Sequence, residues 1–560
     1  MTDATKTASA RTDEMARLLA AADRTTPRAL GGLIDRLEAS GRLPQRGAPR
    51  GPYTSKLLIR GVTYDSRHVV EGTLFVAVSG AHADGHDFVA AARARGAAAA
   101  IVGRVVEGVA LPQIVVDDTR RALAVAAAWW YGDPSHELGI VGITGTDGKT
   151  TTSFLAAAVL EAAGVSTGLI TTAAAGVGSL RTSNPEHVTT PEAPQLQRML
   201  RAMVSAGNEA AIVETTSHGL ALGRVAEIAY DVAVFTNLTH EHLELHGTFE
   251  AYRAAKLSLF RRLGESVPDK KLTRPWPRTG IVNADDDASA LFAAAALGAG
   301  ARVIRYGESA GADVRAISVT VNQQSMRVEV ATPRWRGEVD LRLAGRFNVH
   351  NALAAIALGE ALELDGAAVR AALASVAGVP GRMERVDCGQ PFGVIVDYAH
   401  SPASLEKVLD VLAPMASAGG GGLIAVFGSA GERDVLKRPM MGRLAAERCR
   451  LVVVTNEDPR GEDAMSIIGE IAAGARTATP EAAGPRPTIL EIPDRRAAIE
   501  AAFGRARPGD VVLLAGKGHE QTIIMAGGPI AWDERSEAIR ALERLGYVRE
   551  GDAMGRSGGR

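Results

Sequence analysis

The stretch from Gly139 to Phe154 limits what this chain can fold into more than any other part of it. Its residues are GIVGITGTDGKTTTSF. The apolar run from Ile140 to Ile143 predicts a buried strand, and the hydroxyl residues Thr151 and Thr152 open a predicted helix after a glycine-rich turn. Glycine N–H groups and the positive end of a helix together bind phosphate well. The stretch therefore predicts a parallel-sheet domain with a polyphosphate site.

The spacing of this turn differs from the common phosphate-loop pattern G-x-x-x-x-G-K-[ST]. Ile143 occupies the position of the first glycine, and the shorter pattern G-x-x-G-K-T runs from Gly145 to Thr150. A turn that only caps a helix is the alternative explanation. The strand before the turn and the Lys149-Thr150 pair after it favour phosphate binding, with Lys149 at the β- and γ-phosphates and the Thr150 hydroxyl on Mg²⁺.

The composition excludes several classes of protein. The chain has 560 residues, 46% of them hydrophobic, which is enough for three or four domains with sizeable cores. A formal net charge of -2 gives no reason to expect nucleic acid or an acidic membrane as a partner. The two cysteines, Cys388 and Cys449, are too few for a disulfide framework or a zinc site, which favours the cytoplasm. No apolar stretch approaches the ~18 residues that a membrane span needs.

Alternating strand and helix patterns predict an α/β protein with three domains. We expect an N-terminal extension over residues 1–50, without fixed structure over the first dozen, and a first α/β domain over residues 51–138. A central domain built on a parallel mononucleotide-binding sheet follows over residues 139–380. A Rossmann-like third domain is expected over residues 381–550, before a disordered tail at residues 551–560.

One segment of the central domain is expected to be an exposed insertion. Residues 264–280 carry three prolines, Pro268, Pro275 and Pro277, among mixed charges.

The C-terminal part of the central domain is predicted to contain antiparallel strands. Residues 314–343 alternate apolar and polar positions, which is typical of such strands. Two predicted helices, from Asn348 to Leu362 and from Ala367 to Ala377, then complete the central domain.

Polar residues at the ends of the predicted central strands suggest a metal site. Glu214 ends the apolar strand Ala210–Val213, where it could bind the Mg²⁺ of ATP or act as a helix N-cap partner. The run Asn237–His246 contains three histidines and two glutamates. Its spacing is not H-E-x-x-H, so a metal site and a polar loop both remain open. Lys256, taken alone, is an ordinary helix lysine.

Four consecutive predicted strand ends in the third domain carry glycine and charge. They are Asp397–His400, Gly428–Asp434, Glu457–Arg460 and Gly516–Glu520. Any one of them could be a solvated turn. Together they predict a binding edge, because the carboxyl ends of parallel strands meet at one side of a sheet.

These motifs, in this order, resemble the Mur ligase family. The matching segments are Gly145–Thr151, Glu214, Asn237–His246, Asn348–Asn351, Gly381–Arg382, Asp397–His400 and Gly516–Glu520. The likeness extends from about Gly61 to Tyr547. The last motif and Asp65-Ser66-Arg67 point to the members that add a diamino acid to UDP-N-acetylmuramoyl-L-alanyl-D-glutamate in peptidoglycan synthesis.

The resemblance implies ATP and Mg²⁺ as cofactors and a CO₂-derived carbamate on Lys256. It implies that Lys149, Glu214, His242 and Lys256 are catalytic, and that Thr150, Glu214, His242 and carbamylated Lys256 lie at the metals. The residues implied at ATP are Gly145, Thr146, Asp147, Gly148, Lys149, Thr150, Thr151, Asn348, Asn351, Arg382, Asp397 and His400. Carbamylation turns a lysine cation into a carboxylate-like anion, which suits a place beside metal and phosphate.

The other two substrates would be held by further residues that match the family. Those implied at the UDP-muramoyl-dipeptide are Tyr64, Ser66, Ala81, His82, Ala83, Thr189, Thr190, Thr216 and Arg224. Those implied at the amino acid are Arg433, Glu457, Asp458, Pro459, Arg460, Gly516 and Glu520.

The chain departs from the family pattern in three places. Asp-His-Leu-Asp becomes Glu241–Glu244, and Leu222 replaces a glutamine expected two positions before Arg224. The pocket motif Asp-Asn-Pro-Arg becomes Glu-Asp-Pro-Arg, with Asp458 in place of the amide. An anion there attracts a bare ammonium and repels a carboxylate, which places L-lysine or L-ornithine slightly ahead of meso-diaminopimelate unless Asp458 and Arg460 pair with each other.

The expected reaction is ATP-dependent amide formation through an acyl phosphate, by a monomer in the cytoplasm with small-molecule substrates and neither nucleic acid nor membrane as partner. Two alternatives stay open. One is a ligase similar to folylpolyglutamate synthetase, against which the segment Thr63–His86 argues. The other is a P-loop NTPase whose hydrolysis switches a partner and needs no amine.

Overall fold

The computed structural model describes residues 3–43, 55–80, 83–184, 188–239, 246–265, 267, 270–321, 325–479 and 486–548, with side chains from residue 10 onward. The chain divides into two compact units. The first comprises Met1–Ser318, Glu329–Val339 and Val349–Leu373. The second comprises Val319–Val328, Asp340–Asn348 and Ala374–Arg560. No helix in these described ranges is long and apolar enough to cross a bilayer.

The N-terminal part begins with a helix where the sequence predicts no fixed structure. Helix α1 (Asp3–Ala21) is followed by strand β1 (Arg28–Ala29), helix α2 (Gly31–Ala39) and strand β2 (Leu58–Ile59), which pairs antiparallel with β1. Met15 in the second half of α1 is buried in the core of the central sheet, and this burial stabilises the helix there.

A small parallel sheet forms the next layer. Its strands are β3 (Gly61–Thr63), β4 (Thr73–Val76), β5 (Ala99–Val102) and β6 (Gln113–Val115), paired in that order. The helices beside it are α3 (Val89–Ala94) and α4 (Thr119–Tyr131). Leu33 and Leu37 of α2 share the core of this sheet, so α2 packs with the first domain rather than apart from it.

The central sheet has eleven strands in the described residues. In chain order they are β7 (Gly139–Thr144), β8 (Thr167–Ile170), β9 (Ala174–Val177), β10 (Leu180–Ser183), β11 (Ala210–Glu214), β12 (Val232–Phe235), β13 (Thr279–Asn283), β14 (Arg302–Gly307), β15 (Val314–Val321), β16 (Met326–Ala331) and β17 (Arg336–Leu341). Their order across the sheet is 10-9-8-11-7-12-13-14-15-16-17. Strands β8, β11, β7, β12, β13, β14 and β15 pair in parallel, which confirms the predicted sheet type.

Seven helices accompany this sheet in the described residues. They are α5 (Lys149–Ala162), α6 (Ala193–Ser205), α7 (Ser217–Ala221), α8 (Phe249–Arg261), α9 (Ser289–Gly298), α10 (Asn348–Ala361) and α11 (Gly366–Ser375). Strand β7 lies between β11 and β12, and its register pairs Ile143 with Glu214 and Thr144 with Phe235. Since strand order reverses around β7, the loop after it opens at the point where parallel α/β sheets bind ligands.

The prediction that residues 264–280 form an exposed insertion is wrong for Lys270 and Trp276, whose side chains are buried. Lys271, Thr273 and Pro275 are exposed, as predicted. The Trp276 ring packs against Gly139 so closely that a side chain at Gly139 would overlap it. Lys270 is buried, with Nζ 2.6 Å from Asp231 Oδ2, and Ile140 N donates to the same oxygen at 2.7 Å. Proline and charge content suggested exposure, whereas a buried ion pair has no signature in composition. The segment thereby fixes the start of β7.

Replacing Lys270 by methionine is expected to lower the free energy of unfolding of this unit by ~3–5 kcal/mol, because Asp231 would stay buried without its cation. Urea unfolding followed by tryptophan fluorescence, to which Trp276 contributes with four other tryptophans, measures the effect. The neighbouring Lys271 is exposed and offers a matched control, for which Lys271→Met should change the free energy by less than ~0.5 kcal/mol. Equal effects of the two substitutions would contradict the structural role of the pair.

The second unit contains a six-stranded sheet and a hairpin. The strands are β18 (Glu384–Arg385), β19 (Gly393–Asp397), β20 (Leu423–Phe427), β21 (Leu451–Val454), β22 (Thr488–Glu491) and β23 (Val511–Ala515), with β24 (Thr522–Met525) and β25 (Gly528–Ala531) as the hairpin. The order is 18-19-23-20-21-22, parallel except for β18. The helices are α12 (Pro402–Ala418), α13 (Lys437–Arg448), α14 (Ala464–Arg476), α15 (Arg495–Phe503) and α16 (Glu534–Arg544). Apolar cores on both faces confirm the Rossmann-like prediction.

Candidate active site

The loop between β7 and α5 can be built only with glycine at two positions. Gly145 has φ 150° and Gly148 has φ 80°, which is backbone that other residues rarely adopt. A side chain at Gly145 would also overlap the Thr236 hydroxyl, and one at Gly148 would overlap the Asn351 amide oxygen. The loop is therefore a close-fitting cradle of backbone, as a phosphate site requires.

Residues that follow β12 hold this cradle in place. Thr146 N donates to Asn237 O at 2.8 Å, and Asp147 N donates to Asn237 Oδ1 at 2.9 Å. The Thr236 hydroxyl donates to Asp147 O at 2.7 Å. The part of the predicted Asn237–His246 segment that the structure describes thus stabilises the phosphate loop, while Glu241, His242 and Glu244 lie outside the described residues.

Lys149 begins α5 and folds over the loop. Its Nζ donates to Thr146 O at 2.8 Å and to Gly145 O at 3.1 Å. Among the described residues it has no carboxylate partner. A cation beside a glycine-rich loop at a helix N-terminus is well placed to bind polyphosphate.

Thr150 and Glu214 meet beneath the loop, as the sequence predicts. The Thr150 hydroxyl donates to Glu214 Oε2 at 2.9 Å, and Thr172 N donates to the same oxygen at 3.0 Å. Glu214 is only 2% exposed. Hydroxyl and carboxylate oxygens converging beside a phosphate site are ligands that fit Mg²⁺. The described residues contain no cluster of three or more His, Cys, Asp or Glu that could hold a metal by themselves, so phosphate oxygens would complete the set.

Lys256 reaches the same loop from α8. It is 2% exposed, its Nζ donates to Gly145 O at 2.5 Å, and it lies 4.4 Å from the Tyr252 ring centroid. The Tyr252 hydroxyl lies 3.0 Å from that of Thr146. Sequence reasoning missed Tyr252, although its position one helical turn before Lys256 places both on one face.

Two histidines pack beside this helix. The rings of His218 and His246 are 5.6 Å apart, and His246 is 5.4 Å from Tyr252. Burial, followed by the charges of His246, Arg224 and Lys256, lowers the pKa of His218. Burial, with the Lys256 charge, lowers the pKa of His246. Both imidazoles are therefore favoured in the neutral form.

Asn351 and Asn348, one turn apart on α10, have different surroundings. Asn351 is buried against Gly148 and accepts a hydrogen bond from the Thr152 hydroxyl at 3.2 Å. Asn348 belongs to the second unit and donates to Ala344 O at 2.6 Å. Asn351 thus supports the phosphate loop, and the adenine role of both residues stays a prediction.

The residues expected at the muramoyl-dipeptide gather at the end of β11. The Thr190 hydroxyl donates to Glu214 O at 2.9 Å and lies 3.0 Å from the Thr216 hydroxyl. Arg224 donates to Thr190 O at 2.9 Å and pairs with Glu192 at 2.8 Å. Thr189 lies 2.8 Å from the Thr172 hydroxyl, which itself donates to Glu214.

The described residues expected at the UDP end lie in the segments that follow strands β3 and β4 of the small sheet. Ser66 begins a short 3₁₀ helix capped by Asp65, and the hydrogen bond from Arg67 lowers the pKa of Asp65 to about 2. The Tyr64 hydroxyl accepts a hydrogen bond from Gln195 at 3.4 Å. Ala83 O accepts from Gly80 N at 2.8 Å. Ala81 and His82 lie outside the described residues.

In the second unit, Asp397 ends β19 and is fixed by backbone. Met383 N and Ala399 N donate to its two oxygens at 2.7 and 2.8 Å, and burial raises the pKa of Asp397. Arg382 stacks 5.0 Å from the Tyr398 ring, and His400 Nδ1 lies 2.8 Å from Tyr398 O. The structure therefore brings Arg382, Asp397 and His400 together.

Two of the predicted amino-acid residues, Asp458 and Glu520, pair with a buried lysine that sequence reasoning missed. Lys517 Nζ lies 2.8 Å from Asp458 Oδ1 and 2.5 Å from Glu520 Oε2. Glu457 packs against Gly516. The alternative pairing of Asp458 with Arg460 is thus wrong, since Lys517 takes its place. The run G-K-G-H-E at residues 516–520 could have indicated this pairing. It places Lys517 at a strand end, close in sequence to Glu520 and at the same predicted edge as the acidic end of another strand.

Two arginines complete this edge of the second unit. Arg460 follows Pro459, has φ 54°, and its buried Nε has no hydrogen-bond partner among the described residues. Arg433 is exposed on the loop after β20. A buried donor without a partner is costly, so Arg460 Nε would gain from a bound acceptor.

Three family descriptions match the chain in sequence order. Residues 58–131 match "Mur ligase family, catalytic domain", residues 143–359 match "Mur ligase middle domain" and residues 381–518 match "Mur ligase, glutamate ligase domain".

Individual proteins are similar over nearly their whole length. The UDP-N-acetylmuramyl-tripeptide synthetase of Roseiflexus sp. (strain RS-1) is 48% identical, over 87% of this chain and 95% of that protein. The UDP-N-acetylmuramoyl-L-alanyl-D-glutamate--2,6-diaminopimelate ligase of Geobacillus thermodenitrificans (strain NG80-2) is 41% identical, over 86% and 94%. A solved structure with that same enzyme name is 30% identical with a TM-score of 0.60, covering 88% of this chain and 96% of that one.

Proposed function

Because this chain belongs to the Mur ligase family of ATP-dependent, peptide-bond-forming enzymes, we propose that it adds a diamino acid to the D-glutamate of UDP-N-acetylmuramoyl-L-alanyl-D-glutamate. The names of its relatives, with 41% and 48% identity across most of the chain, support this substrate. The product would be the tripeptide precursor of peptidoglycan.

One observation supports this function above the others. The side chain of Glu214 accepts a hydrogen bond from Thr150 of the phosphate loop, while its backbone carbonyl accepts one from Thr190. Thr190 in turn contacts Thr216 and Arg224. The end of β11 therefore joins a phosphate cradle to a polar cluster suited to a peptide carboxylate, which is the juxtaposition that carboxylate activation by ATP needs.

The residues of the chain act mainly by positioning and charge neutralisation. The loop amides and Lys149 bind the β- and γ-phosphates of ATP, so that the D-glutamate carboxylate attacks the γ-phosphorus and ADP leaves. The amine then attacks the acyl phosphate carbonyl, loses a proton and expels inorganic phosphate. Thr150 and Glu214 would hold Mg²⁺, which neutralises phosphate charge when bound. Lys256 is proposed to carry a carbamate beside them.

The amine dependence of phosphate release tests this function. Wild-type enzyme with ATP, Mg²⁺ and UDP-N-acetylmuramoyl-L-alanyl-D-glutamate should release phosphate only when a diamino acid is added. Phosphate release that ignores the amine would instead indicate an NTPase switch. Turnover that requires a folate acceptor and glutamate would indicate the folylpolyglutamate-type ligase.

We further propose that the enzyme works as a monomer in the cytoplasm, where ATP is made. Gel filtration tests the oligomeric state.

The selectivity for the diamino acid should depend on Arg460. The predicted preference for lysine or ornithine assumed an unpaired Asp458 anion, but Lys517 already pairs with Asp458. Arg460 keeps a buried donor without a partner, so we expect Arg460→Ala to lower the ratio of kcat/KM for meso-diaminopimelate to that for lysine by ~1–3 kcal/mol, about 5- to 150-fold.

Competition among L-lysine, L-ornithine and meso-diaminopimelate measures this ratio. It also shows which of the three amines the wild type prefers. Glu520→Gln is the control, because it removes the negative charge that pairs with Lys517. Glu520 makes no contact with Arg460 in the described residues, so the substitution should affect lysine and meso-diaminopimelate alike. An unchanged ratio in Arg460→Ala would show that the guanidinium does not contact the distal end of the amine.

A further inference from the structure

Arg438 is a buried cation that the mechanism above does not use. It is the second residue of α13, and its side chain is 1% exposed. A charge at such a depth must be paired to be tolerated. Its partners therefore show what it holds together.

The guanidinium of Arg438 connects two loops and a helix. One nitrogen donates to Glu462 at 2.9 and 3.1 Å and to Ala430 O at 3.3 Å. A second nitrogen donates to Glu470 of α14 at 3.0 Å. Ala430 belongs to the loop after β20, and Glu462 belongs to the loop after β21. A single side chain thus links the two loops that carry Arg433 and Arg460.

Glu462 continues this link into the backbone. It accepts a hydrogen bond from Glu432 N, and this bond, with that from Arg438, lowers the pKa of Glu462. A second bond between the loops runs from Gly431 N to Asp458 O at 2.8 Å. The loop containing Arg433 is therefore attached to the loop containing Asp458 and Arg460 at two consecutive residues, Gly431 and Glu432.

The backbone in these loops is strained where it is attached. Glu432 has φ 55° and Arg460 has φ 54°, and neither is glycine. Such a conformation costs about 1–3 kcal/mol per residue and persists only where surrounding contacts impose it. The bond from Glu432 N to Glu462 holds the first, and the bond from Arg460 N to Ile524 O at 2.9 Å holds the second.

We propose that the Arg438–Glu462 pair is a positioning device that fixes the spacing between Arg433 and Arg460, and hence the affinity for the incoming diamino acid. This inference rests on the proposed function. Arg438 and Glu462 act through the loops and do not themselves contact substrate. Without the pair, the bond between the loops at Glu432 is lost and the bond at Gly431 remains, so binding of the diamino acid must first order the segment that carries Arg433.

Matched substitutions of the two carboxylates that pair with Arg438 test the inference. Glu462→Gln keeps the shape but loses the charge that holds Arg438 and the loop. It should raise the KM for the diamino acid about tenfold or more, with the KM for ATP and for the UDP substrate within about twofold. Glu470→Gln removes the other partner, which contacts neither loop, and should change each constant by less than about twofold. Arg438→Lys retains a cation but cannot contact both glutamates as the guanidinium does. Its KM for the diamino acid should therefore lie between those of the two glutamine variants.

The outcomes separate this inference from the proposed function. If the wild-type enzyme shows no amine-dependent phosphate release, the proposed function fails before any variant is compared. If it does, equal KM values in Glu462→Gln and Glu470→Gln, or a parallel rise for all three substrates, would overturn the positioning role. Circular dichroism melting of each variant checks folding, and Arg438→Lys provides the readout if Glu462→Gln does not fold.

Discussion

Turnover is expected to fall by about 10³-fold or more when Lys256 is replaced by alanine, and to recover in part when short carboxylic acids are added. The reason is the position of this side chain. Lys256 is buried with its Nζ 2.5 Å from the carbonyl of Gly145, so any group attached to that nitrogen lies at the phosphate loop. A carbamate there would present carboxylate-like oxygens, which an added carboxylic acid can imitate.

Carbon-13 NMR and the effect of chloride on the rescue distinguish a carbamate from a lysine with only a structural role. Carbon-13 NMR in labelled bicarbonate should show a carbamate signal in the wild type that is absent in Lys256→Ala. Arg253→Ala, on the same helix but over the Phe249 ring, is the control and should keep nearly full turnover. Added chloride should not change the turnover that short carboxylic acids restore to Lys256→Ala. Full activity in Lys256→Ala, or a wild type without the carbamate signal, would remove the idea.

Much of the fold could be predicted because it depends on local patterns. The strands Gly393–Asp397, Leu423–Phe427 and Val511–Ala515 end where the sequence predicts strand ends, since buried parallel strands are short apolar runs bounded by polar turns. The phosphate loop and Glu214 were predictable for the same reason. Each follows such a run, and parallel strands bring their carboxyl ends to one edge.

The contacts that the sequence did not predict join residues far apart in the chain. Lys517 pairs with Asp458, and Lys270 pairs with Asp231, across separations that no periodic pattern records. Buried ion pairs consist of residue types that are usually exposed, so composition argues against them. Asn351 supports the phosphate loop for a similar reason, because only the packing of α10 on α5 brings it to Gly148.

Replacing Glu214 by glutamine is expected to lower kcat by about 10³-fold, or ~4 kcal/mol, while the enzyme stays folded. Glutamine has the same shape and can still accept the hydrogen bond from Thr150, so the loop keeps its support. It lacks the negative charge that would hold Mg²⁺ beside the γ-phosphate. The loss should therefore appear in catalysis rather than in the melting temperature.

The dependence of turnover on Mg²⁺ concentration shows whether the charge of Glu214 acts through the metal. In Glu214→Gln, half-maximal activity should require at least about tenfold more Mg²⁺ than in the wild type, because one anionic ligand is missing. Thr172→Val is the matched control. It removes the Thr172 hydroxyl bond to Glu214 but leaves the carboxylate and Thr150 in place, so its Mg²⁺ requirement should stay near that of the wild type. If Glu214→Gln lost activity with an unchanged Mg²⁺ requirement, Glu214 would support the loop and the substrate cluster without binding the metal.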